Sequence, residues 1–472
     1  MKFKLRTISS FLLLLSFLAA ATNFALAQPG HERVDILIVG GTVVTMDASR
    51  RVIVDGAVAI SGDKITAVGT RAELTRSHKA TRTIDASGKV IIPGLVNAHT
   101  HIPMVLFRGI ADDMDLQEWL TKFIFPAEAK NVDEAFVRAG TRLGLAEMIR
   151  GGTTTYCDMY YFEDAIADET SKAGVRGVLG QTLIDFPVPD AKTFDAGMEV
   201  AERFVKKWQG NALITPAIAP HAPYTVSEDN LTSARAMSDR LKAPLLIHLA
   251  EADTETKAIA EKYDGLRPIE FLEKIAFFND RTIAAHVVHA NAAELDILKR
   301  RNVGIAHNPQ SNMKLASGVA PVPMMLGKQM NVGLGTDGAA SNNDLNIWEE
   351  MDAAAKLHKV FWGDPKVVSA EEAFTMATIG GARALHMANR IGSIEAGKLA
   401  DIVIVDFDGL HQTPMYNVYS HLVYATKASD VRTVIINGKP VMIDRRLLTL
   451  NEGAIKKEAI AYRNKIIESL KD

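Results

Sequence analysis

Cysteine is almost absent from the 472-residue chain, which carries only Cys157. A single cysteine excludes a disulfide within the chain and any zinc site built from several thiolates, the His/Cys/Cys type included. An excess of charge of one sign is also lacking, because 53 Lys and Arg residues stand against 56 Asp and Glu residues and no basic stripe occurs. Nucleic acid is therefore not an expected partner. Apolar residues make up 47% of the chain, enough for a large buried core.

Long hydrophobic runs are lacking too, apart from Phe11–Ala21, which is too short to span a bilayer comfortably. Basic residues precede this run, and Ala25-Leu26-Ala27 fits a cleavage site after a small-residue pattern. We expect residues 1–27 to be a signal peptide and the mature chain to be exported, periplasmic or secreted, with no stable membrane anchor. The alternative is an uncleaved anchor helix, which is less favoured because no stop-transfer pattern follows.

Both ends of the mature chain have the composition of short β-strands. Residues 28–93 contain β-branched stretches broken by glycine-containing turns, and strands return over residues 398–450, where Asn437-Gly438 indicates a hairpin. We expect the two segments to meet in one small β-sandwich. A closing helix is expected over residues 451–472.

The middle of the chain, residues 94–397, alternates apolar strands with amphipathic helical stretches. Eight strands are expected, beginning with the one at Leu95 and continuing at seven later positions: 152–158, 175–180, 213–219, 244–248, 282–286, 303–306 and 332–335. Repeated βα units predict a parallel sheet closed into a (β/α)8 TIM barrel, which needs about 250 residues. The predicted fold class is therefore α/β, a barrel with a small β domain beside it.

Polar side chains occur where several of these apolar strands end. His99 and His101 end strand one and point to the same side, because side chains alternate along a strand. The ends of strands five, six and eight carry His248 with Glu251, His286, and Asp337. Each residue alone is explained by ordinary hydrogen bonding. Their coincidence at the carboxyl ends of barrel strands, where active sites lie, predicts a metal-dependent active site.

These residues lie in stretches that resemble the amidohydrolase superfamily, and specifically its methylthioadenosine/S-adenosylhomocysteine deaminase branch. The resemblance covers nearly the whole mature chain and is carried by five segments: Pro93–His101, His248–Glu251, Ala284–His286, Asn308–Leu315 and Gly335–Asn343. The last segment is the most specific. The His-x-His pattern alone would indicate only the superfamily.

The resemblance implies one divalent metal ion, usually Zn²⁺, held by His99, His101, His248 and Asp337. Three neutral imidazoles and one carboxylate leave a zinc ion with net positive charge and an open position for water. The same ligand types also suit Fe²⁺ and Mn²⁺. Relatives with two metals bridge them through a lysine at the end of strand four, and no lysine occurs in Ile214–Ala219. A second metal is therefore not expected.

The resemblance also implies three catalytic roles. Asp337 accepts the proton of the attacking water, His286 orients that water without binding the metal, and Glu251 delivers a proton to a ring nitrogen. The expected reaction is hydrolytic deamination of an adenosine-type nucleoside to the inosine analogue and ammonia. The expected substrates are 5′-methylthioadenosine or another 5′-modified adenosine, with S-adenosylhomocysteine included.

Substrate recognition is implied for three further residues. Glu128 falls where the branch accepts both ribose hydroxyls, His221 where it contacts the purine, and Ser341 where it binds the imidazole-ring nitrogen. Gln181 departs from the branch, because relatives that act on S-adenosylhomocysteine carry an arginine nearby for the amino-acid carboxylate. A neutral amide cannot form that charged bidentate pair, so 5′-methylthioadenosine is the favoured substrate.

Two other hypotheses about the function stay open. The same machinery acts in the superfamily on other rings, such as guanine, a pterin or a chlorinated triazine, none of which offers a ribose to Glu128. A binding protein without activity is disfavoured, because the four ligands, Glu251 and His286 are all present. The branch often forms homo-oligomers, which composition does not reveal.

Overall fold

The computed structural model describes residues 31–471, so the predicted signal peptide lies outside the described residues. The strands in chain order are β1 (Glu32–Val44), β2 (Val52–Ser61), β3 (Lys64–Thr70), β4 (His78–Asp85), β5 (Lys89–Pro93), β6 (Leu95–Thr100), β7 (Thr153–Tyr160), β8 (Arg176–Leu183), β9 (Ile214–Pro220), β10 (Leu245–Leu249), β11 (Thr282–His286), β12 (Gly304–His307), β13 (Asn331–Leu334), β14 (Ile402–Asp406), β15 (Val431–Ile436), β16 (Lys439–Ile443) and β17 (Arg446–Leu447). Strands β6–β13 form the barrel, and the others form a second sheet.

Helices fill the segments between the strands. The α-helices of four or more residues are Arg71–Ser77, Phe125–Asn131, Glu134–Gly151, Glu163–Ala173, Phe194–Trp208, Glu228–Leu241, Asp253–Lys262, Pro268–Lys274, Ala292–Arg300, Pro309–Lys314, Val322–Gly327, Ile347–Trp362, Ala370–Thr375, Gly381–Ala384 and Glu452–Ser469. Single π-helical turns occur at Trp119–Ile124, Met376–Gly380 and His421–Ala425. Among residues 31–471, no helix has both the length and the apolar character that crossing a membrane requires.

The eight barrel strands are parallel and neighbour one another in chain order, from β6 to β13. All of these strands are mostly buried, because helices cover their outer side and side chains fill the interior. The predicted (β/α)8 barrel is confirmed. Its parallel order brings the carboxyl ends of all eight strands to one rim, which is where the predicted site residues lie.

The barrel closes between its first and last strands through side chains as well as backbone. The Asn97 amide donates to the hydroxyl of Thr336 (2.8 Å) and accepts from its backbone N–H (3.1 Å). The backbone N–H of Asp337 donates to the carbonyl of His99 (3.0 Å). Gly335 allows this approach, because a Cβ there would lie 2.8 Å from the His99 nitrogen. The closure therefore brings Asp337 beside His99 of β6 and His101, which directly follows this strand.

The second sheet combines both ends of the described chain. Its strand order is β17-β16-β15-β14-β5-β1-β2-β3, with β4 paired to β1. The two halves join where β14 runs antiparallel to β5, with Ile402 opposite Pro93. Apolar side chains from both halves, among them Ile38, Ile91 and Ile404, form one buried cluster. The predicted small β domain built from both chain ends is confirmed, and its strands form one connected mixed sheet.

A buried ion pair connects this sheet to the barrel. Arg176, the first residue of β8, donates from Nε to Oδ2 of Asp401 (3.0 Å) and from a terminal nitrogen to Oδ1 (3.2 Å). The two side chains are 1% and 2% exposed. The carbonyl of Ala212 and the amide oxygen of Asn437 accept the remaining hydrogen bonds of the guanidinium. The charge is thus fully paired, as a buried arginine requires.

Candidate metal centre and active site

Four predicted ligands converge at the carboxyl rim of the barrel. Oδ1 of Asp337 lies 3.3 Å from Nε2 of His99 and 3.3 Å from Nε2 of His101. Nε2 of His248 lies 3.3 Å from Nε2 of His101. Donor atoms placed about 2.1 Å from one zinc ion in a tetrahedron are about 3.4 Å apart, so these spacings match such a site. The structure therefore brings together the four residues that sequence reasoning selected.

Hydrogen bonds at the far side of two of the three histidine rings support this arrangement. Nδ1 of His101 donates to the carbonyl of Met159 (2.6 Å), and Nδ1 of His248 donates to the carbonyl of His221 (2.8 Å). These bonds direct the Nε2 lone pairs inward, as second-shell partners of metal-bound histidines do. Nε2 of His99 is buried and has no hydrogen-bond partner among residues 31–471. A buried polar atom of this kind calls for a partner, and a divalent cation fits it.

Asp337 presents two different oxygens. Oδ1 faces the histidines, while Oδ2 accepts hydrogen bonds from the hydroxyls of Ser311 (2.7 Å) and Ser341 (3.1 Å). Burial raises the pKa of Asp337, but the adjacent imidazoles of His101 and His99 outweigh it and hold that pKa well below its usual range. Asp337 is thus an anion in a buried site, where it would neutralise part of the charge of a cation.

The predicted proton carrier and the water-orienting histidine lie beside this cluster. Oε2 of Glu251 is 3.7 Å from Nε2 of His286, and both side chains are buried. Burial raises the pKa of Glu251 above its usual value, which favours the protonated form that a proton donor requires. Nitrogens of His99, His248 and His286 also lie close enough to hold an ion, so His286 borders the same centre.

The backbone at these strand ends is unusual. His286 has φ 72° and Asp337 has φ 60°, both in the left-handed region that only glycine adopts freely. Ala250, which precedes Glu251, has φ 50°. Such conformations cost free energy and cluster at active sites, where surrounding structure enforces them. The turns point the side chains of these strands toward the centre of the rim.

A largely apolar cavity opens beside the cluster. His101, Glu128, His221 and Tyr160 line it, together with Trp119 and other apolar residues. Burial raises the pKa of Glu128 to about 7, although a hydrogen bond from Tyr160 and the charge of His101 lower it. Two of the three predicted substrate residues, Glu128 and His221, therefore face a cavity that reaches the proposed metal ligands.

A second recess continues from this cavity. The two share Phe125, Glu128 and Tyr161, and beyond them the recess is lined by Phe186–Pro189 and Lys192. The side chains at its wall are mainly apolar, and Lys192 supplies the cation. A ligand held at Glu128 could extend a substituent into this space.

Two predicted positions lie elsewhere. Ser341 does not line the cavity, because its hydroxyl binds Asp337 and contacts the hydroxyl of Ser311 (3.0 Å). Gln181 is buried, and its amide donates to Asp190 (2.8 Å) rather than facing the cavity. Contact of Ser341 with a substrate therefore stays a prediction, and its observed partner is a proposed metal ligand.

Sequence reasoning missed several residues that support the site. Tyr160 donates to Glu128, Asn312 contacts His286, and Ser311 binds Asp337. Asp158 accepts from the backbone N–H of Ile102, directly after His101 (2.6 Å). Two of these, Ser311 and Asn312, lie in the segment Asn308–Leu315, which carries the resemblance but indicates no role for its individual side chains.

Comparison with known proteins agrees with this geometry. The model of the Amidohydrolase family matches residues 90–441. An imidazolonepropionase-like composite domain of bacteria matches residues 56–78, within the second sheet. A crystal structure of an adenosine deaminase from Xanthomonas campestris with bound zinc superposes with a TM-score of 0.91 and 39% sequence identity. That superposition covers 93% of this chain and all of the deaminase chain.

Relatives of known name are similar over nearly their whole length. The 5-methylthioadenosine/S-adenosylhomocysteine deaminase of Syntrophobacter fumaroxidans is 49% identical over 433 residues, which cover 92% of this chain and 98% of the relative. The 5′-deoxyadenosine deaminase of Methanosarcina acetivorans is 44% identical over 427 residues, covering 90% and 96%. Together with the eight-stranded barrel and its histidine-rich rim, these similarities show that the chain belongs to the amidohydrolase family.

Proposed function

We propose that this amidohydrolase removes the amino group of 5′-modified adenosines by hydrolysis, giving the inosine analogue and ammonia. One observation carries the proposal: the cavity lined by Glu128 and His221 also contains His101 of the proposed metal site. A nucleoside bound there would have its sugar at Glu128 and its base near the cluster. Relatives named for this activity, at 44–49% identity, support it.

The donor set fits a divalent cation, and we propose that His99, His101, His248 and Asp337 hold it. Zn²⁺ is the first candidate, with Fe²⁺ and Mn²⁺ as alternatives for the same ligand types. When bound, such an ion supplies Lewis-acid activation of water. The zinc in the adenosine deaminase of Xanthomonas campestris supports the first choice. Ile214–Pro220, the fourth barrel strand, contains no lysine to bridge a second ion.

The remaining steps follow from residues of the chain. Water adds its hydroxyl to the amine-bearing carbon of the purine while its proton passes to Asp337. Glu251 protonates the adjacent ring nitrogen, so that the ring does not accumulate negative charge in the transition state. His286, 3.7 Å from Glu251, orients the water. Asp337 then passes its proton to the amino group, and ammonia leaves as the carbon–nitrogen bond breaks. The added hydroxyl gives its proton back to Glu251 as the carbonyl of the inosine analogue forms.

Glu128 provides the argument for a nucleoside over a free base. A carboxylate accepts hydrogen bonds from both hydroxyls of a vicinal diol, and ribose offers such a diol. Guanine, a pterin or a chlorinated triazine has none, so this buried carboxyl would keep its hydrogen bond from Tyr160 and gain none from the ligand. The same machinery acting on one of those rings is the alternative function. A binding protein without activity is disfavoured, because the catalytic groups are complete.

The outer recess supports a 5′ substituent. It begins at Glu128, where the ribose hydroxyls would be held, and its wall at Phe186–Pro189 is apolar. A methylthio group is apolar and small enough to pack against such a wall. We therefore favour 5′-methylthioadenosine, with 5′-deoxyadenosine and S-adenosylhomocysteine as further candidates. Export to the periplasm or medium stays a prediction from residues 1–27, and formation of homo-oligomers stays an expectation from the resemblance.

One screen tests the proposal. Purified, zinc-loaded protein is assayed for ammonia release from adenosine, 5′-methylthioadenosine, 5′-deoxyadenosine, S-adenosylhomocysteine, guanine and a pterin, and for chloride release from a chlorinated triazine. The 5′-modified adenosines should give the highest kcat/KM. Faster turnover of a free base or triazine would favour the alternative function, and neither ammonia nor chloride from any compound would favour a binding protein.

A further inference from the structure

The segment Asn308–Lys314 follows β12 at the rim and lies between the strands that carry His286 and Asp337. Two adjacent residues of its short helix contact these two groups. Oδ1 of Asn312 lies 2.9 Å from Nδ1 of His286, and the hydroxyl of Ser311 donates to Oδ2 of Asp337 (2.7 Å). All four side chains are buried. Neither Asn312 nor Ser311 lines the cavity, so neither is placed to touch a substrate.

We propose that Asn312 and Ser311 are positioning residues, which fix the tautomer of His286 and the orientation of the Asp337 carboxylate from one helical turn. An amide oxygen accepts hydrogen bonds and cannot donate, so Asn312 selects the form of His286 with its proton on Nδ1. Nε2, which faces Glu251, then keeps its lone pair and can accept a hydrogen bond from the attacking water. This inference rests on the proposed function only for its kinetic consequence.

A competing contact exists at the same nitrogen. Nδ2 of Asn308 lies 3.3 Å from Nδ1 of His286, and a donor there would require an unprotonated Nδ1. The two contacts exclude each other, and the contact to Asn312 is shorter by 0.4 Å (3.3 against 2.9 Å). Nδ2 of Asn312 has no partner among the described residues, so its oxygen is the part of this amide that is used.

The contact of Ser311 separates the roles of the two Asp337 oxygens. Because Ser311 donates to Oδ2 and the backbone N–H of Gly338 donates to Oδ1 (2.8 Å), the carboxylate cannot rotate without losing two hydrogen bonds in a buried site. Oδ1 is therefore held toward His99 and His101. Outer-shell partners of this kind usually change metal affinity or activity by about 10–100-fold when removed.

The tautomer is measured by nitrogen-15 NMR of histidine-labelled protein, both zinc-loaded and after chelation. The His286 signals are assigned by their loss in His286→Gln. We expect protonated Nδ1 in the wild type, a shift toward protonated Nε2 in Asn312→Leu, and retained Nδ1 protonation in Asn312→Asp. The aspartate keeps the acceptor oxygen and loses no hydrogen bond, because Nδ2 of Asn312 makes none. Protonated Nε2 in the wild type, or an unchanged tautomer in Asn312→Leu, would overturn the inference.

Kinetics and metal affinity test the consequence. Asn312→Leu should lower kcat about 10–100-fold with KM and zinc content unchanged, and Asn312→Asp should restore most of the loss. Ser311→Ala should weaken zinc binding by about tenfold in competition with a chelator. Gln310→Met is the matched control, because Gln310 lies on the same helix and its side chain makes no hydrogen bond within residues 31–471.

The outcomes separate this inference from the proposed function. If the wild type deaminates no nucleoside, the proposed function fails while the NMR and chelator measurements still decide the positioning roles. If the wild type is active but zinc affinity in Ser311→Ala and the His286 tautomer in Asn312→Leu stay as in the wild type, the positioning roles fail alone. Equal thermal unfolding of Gln310→Met, Asn312→Leu and the wild type shows that any kinetic loss is not caused by unfolding.

Discussion

The phenol of Tyr160 donates a hydrogen bond of 2.6 Å to Oε1 of Glu128 within the cavity. Burial raises the pKa of Glu128 to about 7, and this hydrogen bond, with the charge of His101, limits the rise. This hydrogen bond stabilises the charged form of the carboxyl, because a carboxylate is a stronger hydrogen-bond acceptor than a neutral carboxylic acid. Recognition of a ribose by Glu128 should therefore depend on pH close to neutrality.

We expect KM for a nucleoside to rise as the pH falls through about 7, because protonated Glu128 loses an acceptor for the ribose hydroxyls. Tyr160→Phe removes a stabilising hydrogen bond from the carboxylate, so the pKa of Glu128 and the midpoint of the KM change should move to higher pH. Steady-state kinetics between pH 5.5 and 9 at about 0.5-unit steps measure this midpoint. Glu128→Gln serves as the control, with a KM that is high and does not change over that range.

Glu251→Gln should lower kcat by at least about 100-fold, because the amide cannot donate the proton that the ring nitrogen needs. Zinc content should stay at the wild-type level, since Glu251 is not among the four proposed ligands. Elemental analysis and ammonia assays measure both quantities. Glu261→Gln, an exposed carboxyl at the end of the following helix, is the control. Activity within tenfold of the wild type would show that Glu251 is not the proton donor.

Removal of the metal should abolish turnover and its return should restore it. Chelated protein should regain full activity with one equivalent of Zn²⁺ per chain, because the cluster offers one set of four converging donors. His248→Ala should lower both zinc affinity and kcat, while His289→Ala, whose ring binds the carbonyl of Ser317, should keep zinc affinity. A stoichiometry of two ions per chain would contradict the single site.

The 5′ substituent should influence kcat/KM, with 5′-methylthioadenosine preferred over S-adenosylhomocysteine. Gln181 is turned to Asp190 and offers no charge to an amino-acid carboxylate. Lys192 is the cation of the outer recess, but it is exposed, so water and salt screen an ion pair there. Competition between the two substrates measures the ratio. If the wild type has equal kcat/KM for both substrates, and Lys192→Met lowers kcat/KM for S-adenosylhomocysteine alone, then Lys192 recognises the carboxylate.

The buried pair between Arg176 and Asp401 should be important for stability. Asp401→Ala leaves a guanidinium buried without its partner, which costs about 3–5 kcal/mol of unfolding free energy. Arg176→Met combined with Asp401→Leu should be closer to the wild type than Asp401→Ala, since no unpaired charge remains. Urea denaturation followed by circular dichroism measures the differences. The surface pair Arg240–Glu202, whose side chains are 53% and 27% exposed, gives the control, where Glu202→Ala should have a much smaller effect.

Sequence patterns predicted those parts of the site that the topology dictates. His99, His248, His286 and Asp337 each end an apolar strand, and a parallel barrel necessarily gathers such ends at one rim. Glu128 lies instead on the helix Phe125–Asn131, and no periodicity indicates that this helix meets the end of β7. Its placement came from the resemblance, and its partner Tyr160 was not predicted.

Ser341 shows why individual contacts are harder to predict. Ser341 lies four residues after Asp337, on a turn in which its backbone N–H donates to the carbonyl of Gly338. Its hydroxyl lies within hydrogen-bond distance of Asp337. A serine hydroxyl can form a hydrogen bond to a substrate or to a neighbouring carboxylate, so the residue type alone does not predict which partner it has. Asn312 and Ser311 depend in the same way on packing between β11, β12 and β13, which no local pattern encodes.

The closure between β6 and β13 should influence the local stability of the barrel in the metal-free protein. At that junction, hydrogen bonds of the Asn97 side-chain amide and one backbone hydrogen bond take the place of a regular ladder of strand hydrogen bonds. The proposed metal ligands lie on both sides of this junction. An ion bound to His99, His101 and Asp337 would link the two strand ends across the junction. We therefore expect amide hydrogens near Asn97 and Thr336 to exchange faster after chelation than those of β8 and β9, so that the barrel loosens first where its ends meet.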